Sequence, residues 1–192
     1  MNTTPVETSI LDIAQELAQT RGYNAFSYRD ISEVIGIKTS SIHYYFPTKG
    51  DLGEALVKRY RNNFKTALSL IDEQTHDPLK KLDLYMEIFK KTLHIENKVC
   101  LCGMLAADFT TLPQEVQAQV TSFFSDNETW LAKTLRTGKE HGCFHLNTSV
   151  DATAKIIIDT LEGAMMTARS FGDLKRFTNM TKWLLKSLTH ES

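Results

Sequence analysis

A chain of 192 residues with 42 % apolar and 23 % charged side chains has the balance of a folded globular protein, which excludes a disordered one. Its net charge of −1 gives no global sign of a nucleic-acid partner, and three cysteines, an odd and sparse number, exclude a disulfide framework and fit a reducing compartment. Met1 to Ile10 has no basic start followed by an apolar stretch, and no apolar run approaches the roughly 20 residues of a membrane span, so a cytoplasmic protein without a signal peptide or membrane segment is expected.

The first helix is announced by Thr4-Pro5-Val6-Glu7, a cap, a proline at the first helical position and an acid that can answer the cap. Ile10, Ile13, Ala14, Leu17 and Ala18 share one face, and the helix ends near Arg21-Gly22. Ser27-Tyr28-Arg29-Asp30 opens a short second helix with Ile31, Val34 and Ile35 turned inward, closed by Gly36. The third runs from about Thr39, taken as its cap, to Phe46, where Pro47 stops it for want of an N–H. Thr48-Lys49-Gly50-Asp51 starts a long helix to about Ile71, and Asp77-Pro78 starts another with Leu79, Leu82, Tyr85, Met86, Phe89 and Leu93 in register. A segment from Val99 to Thr111 follows. Pro113 opens a helix to about His141-Gly142, Thr148-Ser149-Val150-Asp151 one to Phe171-Gly172, and Asp173 the last, to about Leu188. About nine helices, with no strand alternation, repeat or low-complexity linker, make an all-α chain: an N-terminal three-helix unit and a larger C-terminal bundle. The boundary falls inside the fourth helix, near residues 48–60, and divides the chain into 1–50 and 51–192.

Charge is uneven along this plan. Residues 21–61 carry seven basic and four acidic side chains, whereas residues 1–20 carry three acids and no base. A basic patch beside an acidic helix is compatible with a surface facing nucleic acid and equally with an ordinary mixed surface. The third helix is more informative. At about 100° per residue, Ile42 and Phe46 share the core side while Ser40, Ser41 and Tyr44 lie opposite, flanked by His43 and Tyr45. A plain surface helix favours Glu and Lys. Small hydroxyls, an imidazole and phenols instead permit close approach to a major groove and hydrogen bonds to base edges or phosphates. A generic helical corner, with Tyr44 and Tyr45 merely packing on neighbours, accounts for the wheel as well.

The stretch Ile10 to Leu56 resembles the DNA-binding domain of the TetR/AcrR family of transcriptional regulators. The resemblance is carried by Ile10-Leu11-Asp12-Ile13-Ala14, Arg21-Gly22-Tyr23, Phe26-Ser27-Tyr28-Arg29-Asp30-Ile31, Gly36-Ile37, and above all His43-Tyr44-Tyr45-Phe46-Pro47-Thr48-Lys49-Gly50-Asp51-Leu52. His43 stands where the family most often has Tyr, and Lys38 where it often has a capping Ser. The resemblance implies a helix-turn-helix whose Lys49 and Tyr44 clamp phosphates. Ser40, Ser41 and His43 would then lie nearest the bases, with Thr39 and Tyr45 close by. Arg29 and Tyr28 would reach the backbone, Tyr28 having packing against the first helix as its alternative.

For the remainder, the resemblance implies a homodimer through the last two helices and an inducer pocket. Ala154, Ile157, Ile158, Leu161, Met165 and Ala168 form one apolar face, Ile156 and Gly163 lie toward another, and Phe177, Met180, Trp183, Leu184 and Leu188 follow. A helix apolar on more than one side must bury both. Candidate ligand-lining residues are Met86, Phe89, Cys102, Met104, Phe109, Phe123, Phe124, Trp130, Met166 and Arg169, most of which also suit a plain core. Arg169 would pair with an anionic ligand, with Asp108 or with Glu162, or lie at the surface. Cys100 and Cys102, two apart, point about 200° from one another if helical, which disfavours a shared metal or an easy bridge. No metal or cofactor is assigned.

The chain is therefore expected to be a ligand-responsive DNA-binding transcriptional regulator, a repressor released from a near-palindromic double-stranded operator by a small molecule. A repressor that senses oxidants or electrophiles through Cys100 or Cys102 is the alternative. With no nucleophile–base pair, His-x-x-x-His or phosphate loop, an enzyme is not expected.

Overall fold

A computed structural model describes residues 4–95 and 98–189. Among them are nine α-helices and no strand: α1 (Pro5–Arg21), α2 (Tyr28–Ile35), α3 (Thr39–Tyr45), α4 (Lys49–Gln74), α5 (Pro78–His94), α6 (Leu101–Ala107), α7 (Gln114–Glu140), α8 (Val150–Phe171) and α9 (Leu174–Thr189). The all-α architecture expected from the punctuation is the one present. The chain forms two compact units that do not follow a single cut: residues 1–62 with 101–122, and residues 63–100 with 123–192.

In the first unit, the Thr4 hydroxyl accepts from the Glu7 N–H at 3.2 Å and Gly22, at φ 96°, ends α1. Ile10, Ala14 and Ala18 are wholly buried. Ser27 and Asp30 form a reciprocal cap on α2, the Ser27 N–H and hydroxyl donating to Asp30 Oδ2 at 2.8 and 2.7 Å. Gly36, left-handed at φ 77°, turns the chain into α3, its N–H returning to the Ser32 carbonyl at 2.9 Å. The cap of α3 differs from the expectation. It is Lys38, whose side chain makes no capping bond, and Thr39 is the first helical residue. The Thr39 hydroxyl instead donates to Ser32 Oγ at 3.4 Å, tying α3 to α2. Thr48 and Asp51 cap α4, which runs three residues past the expected Ile71. Gly53 permits a close approach: a Cβ there would stand 2.9 Å from both the Tyr23 hydroxyl and Val116 Cγ2.

The second unit is built on α5, α8, α9 and the remaining parts of α4 and α7. Asp77 caps α5 by accepting from the Leu79 N–H at 2.9 Å. Ser149 caps α8, and Gly172 at φ 61° closes it. The core is an aromatic cluster. Phe64 meets Tyr85, Phe89 and Phe123 edge-on with centroids 6.1, 5.7 and 5.1 Å away, and Trp130 stacks on Tyr85 at 5.4 Å. No described helix is long and apolar enough to cross a membrane.

Candidate nucleic-acid interface

The geometry of the first unit exposes the outer strip of α3 and fixes its back. Ile42 and Phe46 are buried, as the wheel requires. Ser40 and His43 are exposed, Ser41 and Tyr45 half-buried, and Tyr44 is 82 % exposed. Tyr44 and Tyr45 meet edge to face with centroids 5.2 Å apart, so the outer phenol braces on the inner one rather than on another helix. The strip therefore contains small hydroxyls at its start and aromatic polar groups at its end, and no acid.

Tyr28 does not belong to that strip and packs inward, in keeping with the packing alternative. It is 7 % exposed, and its hydroxyl lies 2.9 Å from the Phe46 carbonyl and 2.6 Å from the Thr48 carbonyl. Burial and the nearby Asp51 push its pKa up to about 12. The phenol stays protonated and ties α2 to the corner between α3 and α4. His43 lies on its ring, 4.7 Å between centroids, and the His43 Nδ1 is 3.1 Å from the Pro47 carbonyl. Tyr23 acts in parallel: its hydroxyl donates to the Lys49 carbonyl at 2.6 Å, and burial, with Glu115 nearby, raises its pKa to about 12. These two phenols were not legible as corner braces, because their partners lie 18 to 26 residues ahead.

Lys49 is likewise turned inward rather than toward solvent. Its ammonium donates to the Phe26 carbonyl and lies 4.8 and 4.4 Å above the Tyr23 and Phe26 rings. Desolvation lowers its pKa, opposed by Asp30. A phosphate contact would require this ammonium to leave those partners.

The basic patch is mostly paired internally. Arg29, with 84 % of its side chain exposed, pairs with Glu33 at 2.8 Å. Arg59 pairs with Asp12 at 2.7 Å, and Arg21 lies 3.8 Å from Asp30. Lys38 is different: it is exposed at the start of α3 and makes no ion pair among the described residues. It is a candidate contact that the sequence reading passed over as a mere departure from a family cap. Thr39 is half-buried against Ser32, at the edge of the strip.

The expected ligand-lining residues are split. Cys102, Met104 and Phe109 belong to the first unit, where Met104 Cε lies 3.7 Å from the position a Cβ on Gly22 would take. Met104 therefore packs on the end of α1. Met86, Phe89, Phe123, Phe124, Trp130, Met166 and Arg169 belong to the second unit. Phe89, Phe123 and Trp130 join the cluster around Phe64 and Tyr85, Phe124 touches Phe123 at 5.5 Å, and Met86 is buried on α5. Met166 does not line it, being 39 % exposed on α8. Arg169 is half-buried in the last turn of that helix. Missing from the expected set were Phe64, Tyr85, Asn127 and Cys100. Tyr85 donates to Asn127 Oδ1 at 2.9 Å, and Asn127 donates to the Phe123 carbonyl at 2.8 Å. Among the described residues no group of three or more His, Cys, Asp or Glu is placed to hold a metal ion.

Comparison with known proteins agrees with this geometry. Residues 10–56 match the model of bacterial regulatory proteins of the tetR family, and residues 78–184 match the tetracyclin repressor-like C-terminal domain. A TetR-family transcriptional regulator from Agrobacterium tumefaciens has 34 % sequence identity and a TM-score of 0.92 over 95 % of this chain and 97 % of that one. A TetR regulator from Legionella pneumophila has 36 % identity and a TM-score of 0.89 over 98 % of this chain and 100 % of that one. The HTH-type transcriptional repressor KstR2 of Mycobacterium tuberculosis is 25 % identical over 156 residues, 79 % of this chain and 75 % of that protein. With a braced helix-turn-helix in its first unit and both family domains matched in order, the chain belongs to the tetR family and is a DNA-binding transcriptional regulator rather than an enzyme.

Proposed function

We propose that this regulator is a cytoplasmic homodimeric repressor that binds a near-palindromic operator and leaves it when a small molecule occupies the second unit. The observation that carries this reading is the exposed, acid-free strip of α3, held from behind by Tyr28 and Tyr23. Residues 1–50 bind DNA, and residues 51–192 bind the effector and dimerise. Ser40, Ser41 and His43 face base edges, with Thr39 and Tyr45 beside them. Tyr44, Arg29 and Lys38 contact phosphates, and Lys49 joins them if its ammonium swings outward. Two-fold symmetry then sets half-sites roughly 34–36 Å apart.

The dimer is supported by apolar side chains exposed on α8 and α9. Ile156 is 51 %, Phe171 68 % and Trp183 67 % exposed. Effector control requires the ligand to prefer the conformation that does not bind DNA, since equal affinity shifts nothing. The cysteine-sensing alternative finds no support in the structure: Cys100 and Cys102 are 1 % and 0 % exposed, closed to an oxidant or electrophile.

Selection of binding sites from a random duplex library tests the reading. Enrichment of a near-palindrome at physiological salt is the expected result. Salt-sensitive bulk binding with no enriched sequence would overturn it.

A further inference from the structure

Most polar groups on the outer strip of α3 can turn either way. Ser40, Ser41, Tyr44 and Tyr45 present hydroxyls, which rotate and so donate or accept as a partner requires. His43 is different, because the fold has already used one of its ring nitrogens. Nδ1 lies 3.1 Å from the Pro47 carbonyl oxygen. A carbonyl oxygen only accepts, so Nδ1 carries the hydrogen and donates it. A neutral imidazole has one N–H, which leaves Nε2 with a bare lone pair.

The ring is also held in place. It lies on Tyr28 with centroids 4.7 Å apart and the planes tilted by 59°. Tyr28 is buried and its hydroxyl is committed to the Phe46 and Thr48 carbonyls at 2.9 and 2.6 Å, so it offers His43 a face and no proton. The two ring nitrogens point apart, so a ring bonded to Pro47 through Nδ1 turns Nε2 away from it. His43 is exposed, and Nε2 has no partner among the described residues. Ser40, three residues earlier on the helix, and Tyr44 beside it are exposed on the same side.

We propose that His43 reads an exocyclic amino group in the major groove, N6 of adenine or N4 of cytosine, by accepting its hydrogen at Nε2. The inference rests on the operator-binding reading above. On the major-groove edges the donors are the amino groups of adenine and cytosine, whereas guanine O6 and N7, thymine O4 and adenine N7 all accept. A lone pair set against a keto oxygen makes no hydrogen bond and leaves two desolvated acceptors opposed. Each base pair carries one amino group, so His43 decides on which strand that group must lie. The hydroxyls of Ser40 and Ser41 can adapt to either edge. At His43 the polarity is set by the Pro47 carbonyl before DNA arrives.

Site selection with the natural chain and with His43→Ala locates the base pair that His43 reads, as the position whose preference relaxes. In both half-sites, purine then replaces adenine there, or 2-pyrimidinone replaces cytosine, deleting the amino group alone. A 7-deaza purine in the same pair deletes N7 alone. Loss of the amino group is expected to weaken the natural chain roughly tenfold or more, and loss of N7 less than about threefold. His43→Ala is expected to bind the parent and amino-deleted operators within about threefold, which assigns the loss to His43 rather than to weakened base pairing. Nitrogen-15 NMR of the DNA-free chain at about pH 8, above the ordinary imidazole range, is expected to find the hydrogen on His43 Nδ1.

A loss that depends on His43 and follows N7 instead of the amino group would overturn the polarity. Base preferences unchanged in His43→Ala, with a salt slope lower by about 0.9, would make the residue a phosphate contact and overturn the base reading. A hydrogen on Nε2 in the free chain would remove the premise. Any of these with an operator still enriched overturns the inference alone. A selection that enriches no sequence overturns the operator-binding reading, and this inference falls with it.

Discussion

The Tyr28 hydroxyl sits 2.6 Å from the Thr48 carbonyl oxygen, twenty residues ahead in sequence, and this contact sets the corner from which α3 projects. Tyr28→Phe keeps the ring on His43 and removes the hydroxyl. The Phe46 and Thr48 carbonyls then lose a buried partner, at about 1–3 kcal/mol. Operator affinity should fall with the slope of log affinity against log salt unchanged, because no phosphate contact is lost. A reduced slope in Tyr28→Phe would show that the phenol touches the backbone after all.

Lys38 and Lys49 should separate in the opposite way. Lys38→Ala should lower the salt slope by about 0.9 and leave thermal stability alone. Lys49→Met should destabilise the protein before any DNA is added, since its ammonium holds the Phe26 carbonyl and covers two rings. Thermal melts of both variants, paired with salt titrations on a fixed duplex, decide the assignment. Equal melts with equal slopes would defeat it.

Trp183 is the natural test of the dimer. It is 67 % exposed on α9, and a large exposed ring of this kind usually anchors an interface. Light scattering should give twice the 21.8 kDa chain mass for the natural protein and the single mass for Trp183→Glu. A natural protein that is monomeric at micromolar concentration would end the dimer proposal.

Gly138 is required for space. A Cβ there would lie 2.1 Å from Phe144 Cδ2, and Phe144 is 2 % exposed, so the ring cannot step aside. Gly138→Ala, ordinarily favourable inside a helix, should instead cost about 1–3 kcal/mol through overpacking. A melting temperature equal to or above that of the natural chain would contradict the packing.

Glu162 makes stability depend on pH in a definite direction. Its folded pKa is raised above its ordinary 4.5, so the folded state holds the proton more tightly than the unfolded one. Its contribution is complete below about pH 4.5 and is lost as pH rises through the folded value. Glu162→Gln removes that loss. Its advantage in melting temperature should therefore be smallest below about pH 4.5 and grow as pH rises above it. A pH-independent difference would mean that folding does not raise the Glu162 pKa.

The helices were legible because their signals are local. Thr4-Pro5, Ser27 with Asp30, Gly36, Pro47 and Thr48 with Asp51 each act within one turn, and the periodicity of Ile10, Ala14 and Ala18 needs no distant partner. The outward strip of α3 was legible for the same reason, since the positions of Ile42 and Phe46 leave one direction for Ser40 and Tyr44. The cap at Lys38 was misplaced because its side chain gives no capping signal, and the Thr39 hydroxyl is drawn off to Ser32.

What a one-dimensional pattern determined, then, was which residues form helices and which face of α3 is polar. Only the tertiary structure decided that Tyr28 and Lys49 turn inward to carbonyls, that Met104 packs on the end of α1, and that Glu162 lies buried against Cys100. Each of those outcomes depends on groups supplied by segments far away in sequence, and hydrogen bonding and desolvation act on what is near in space.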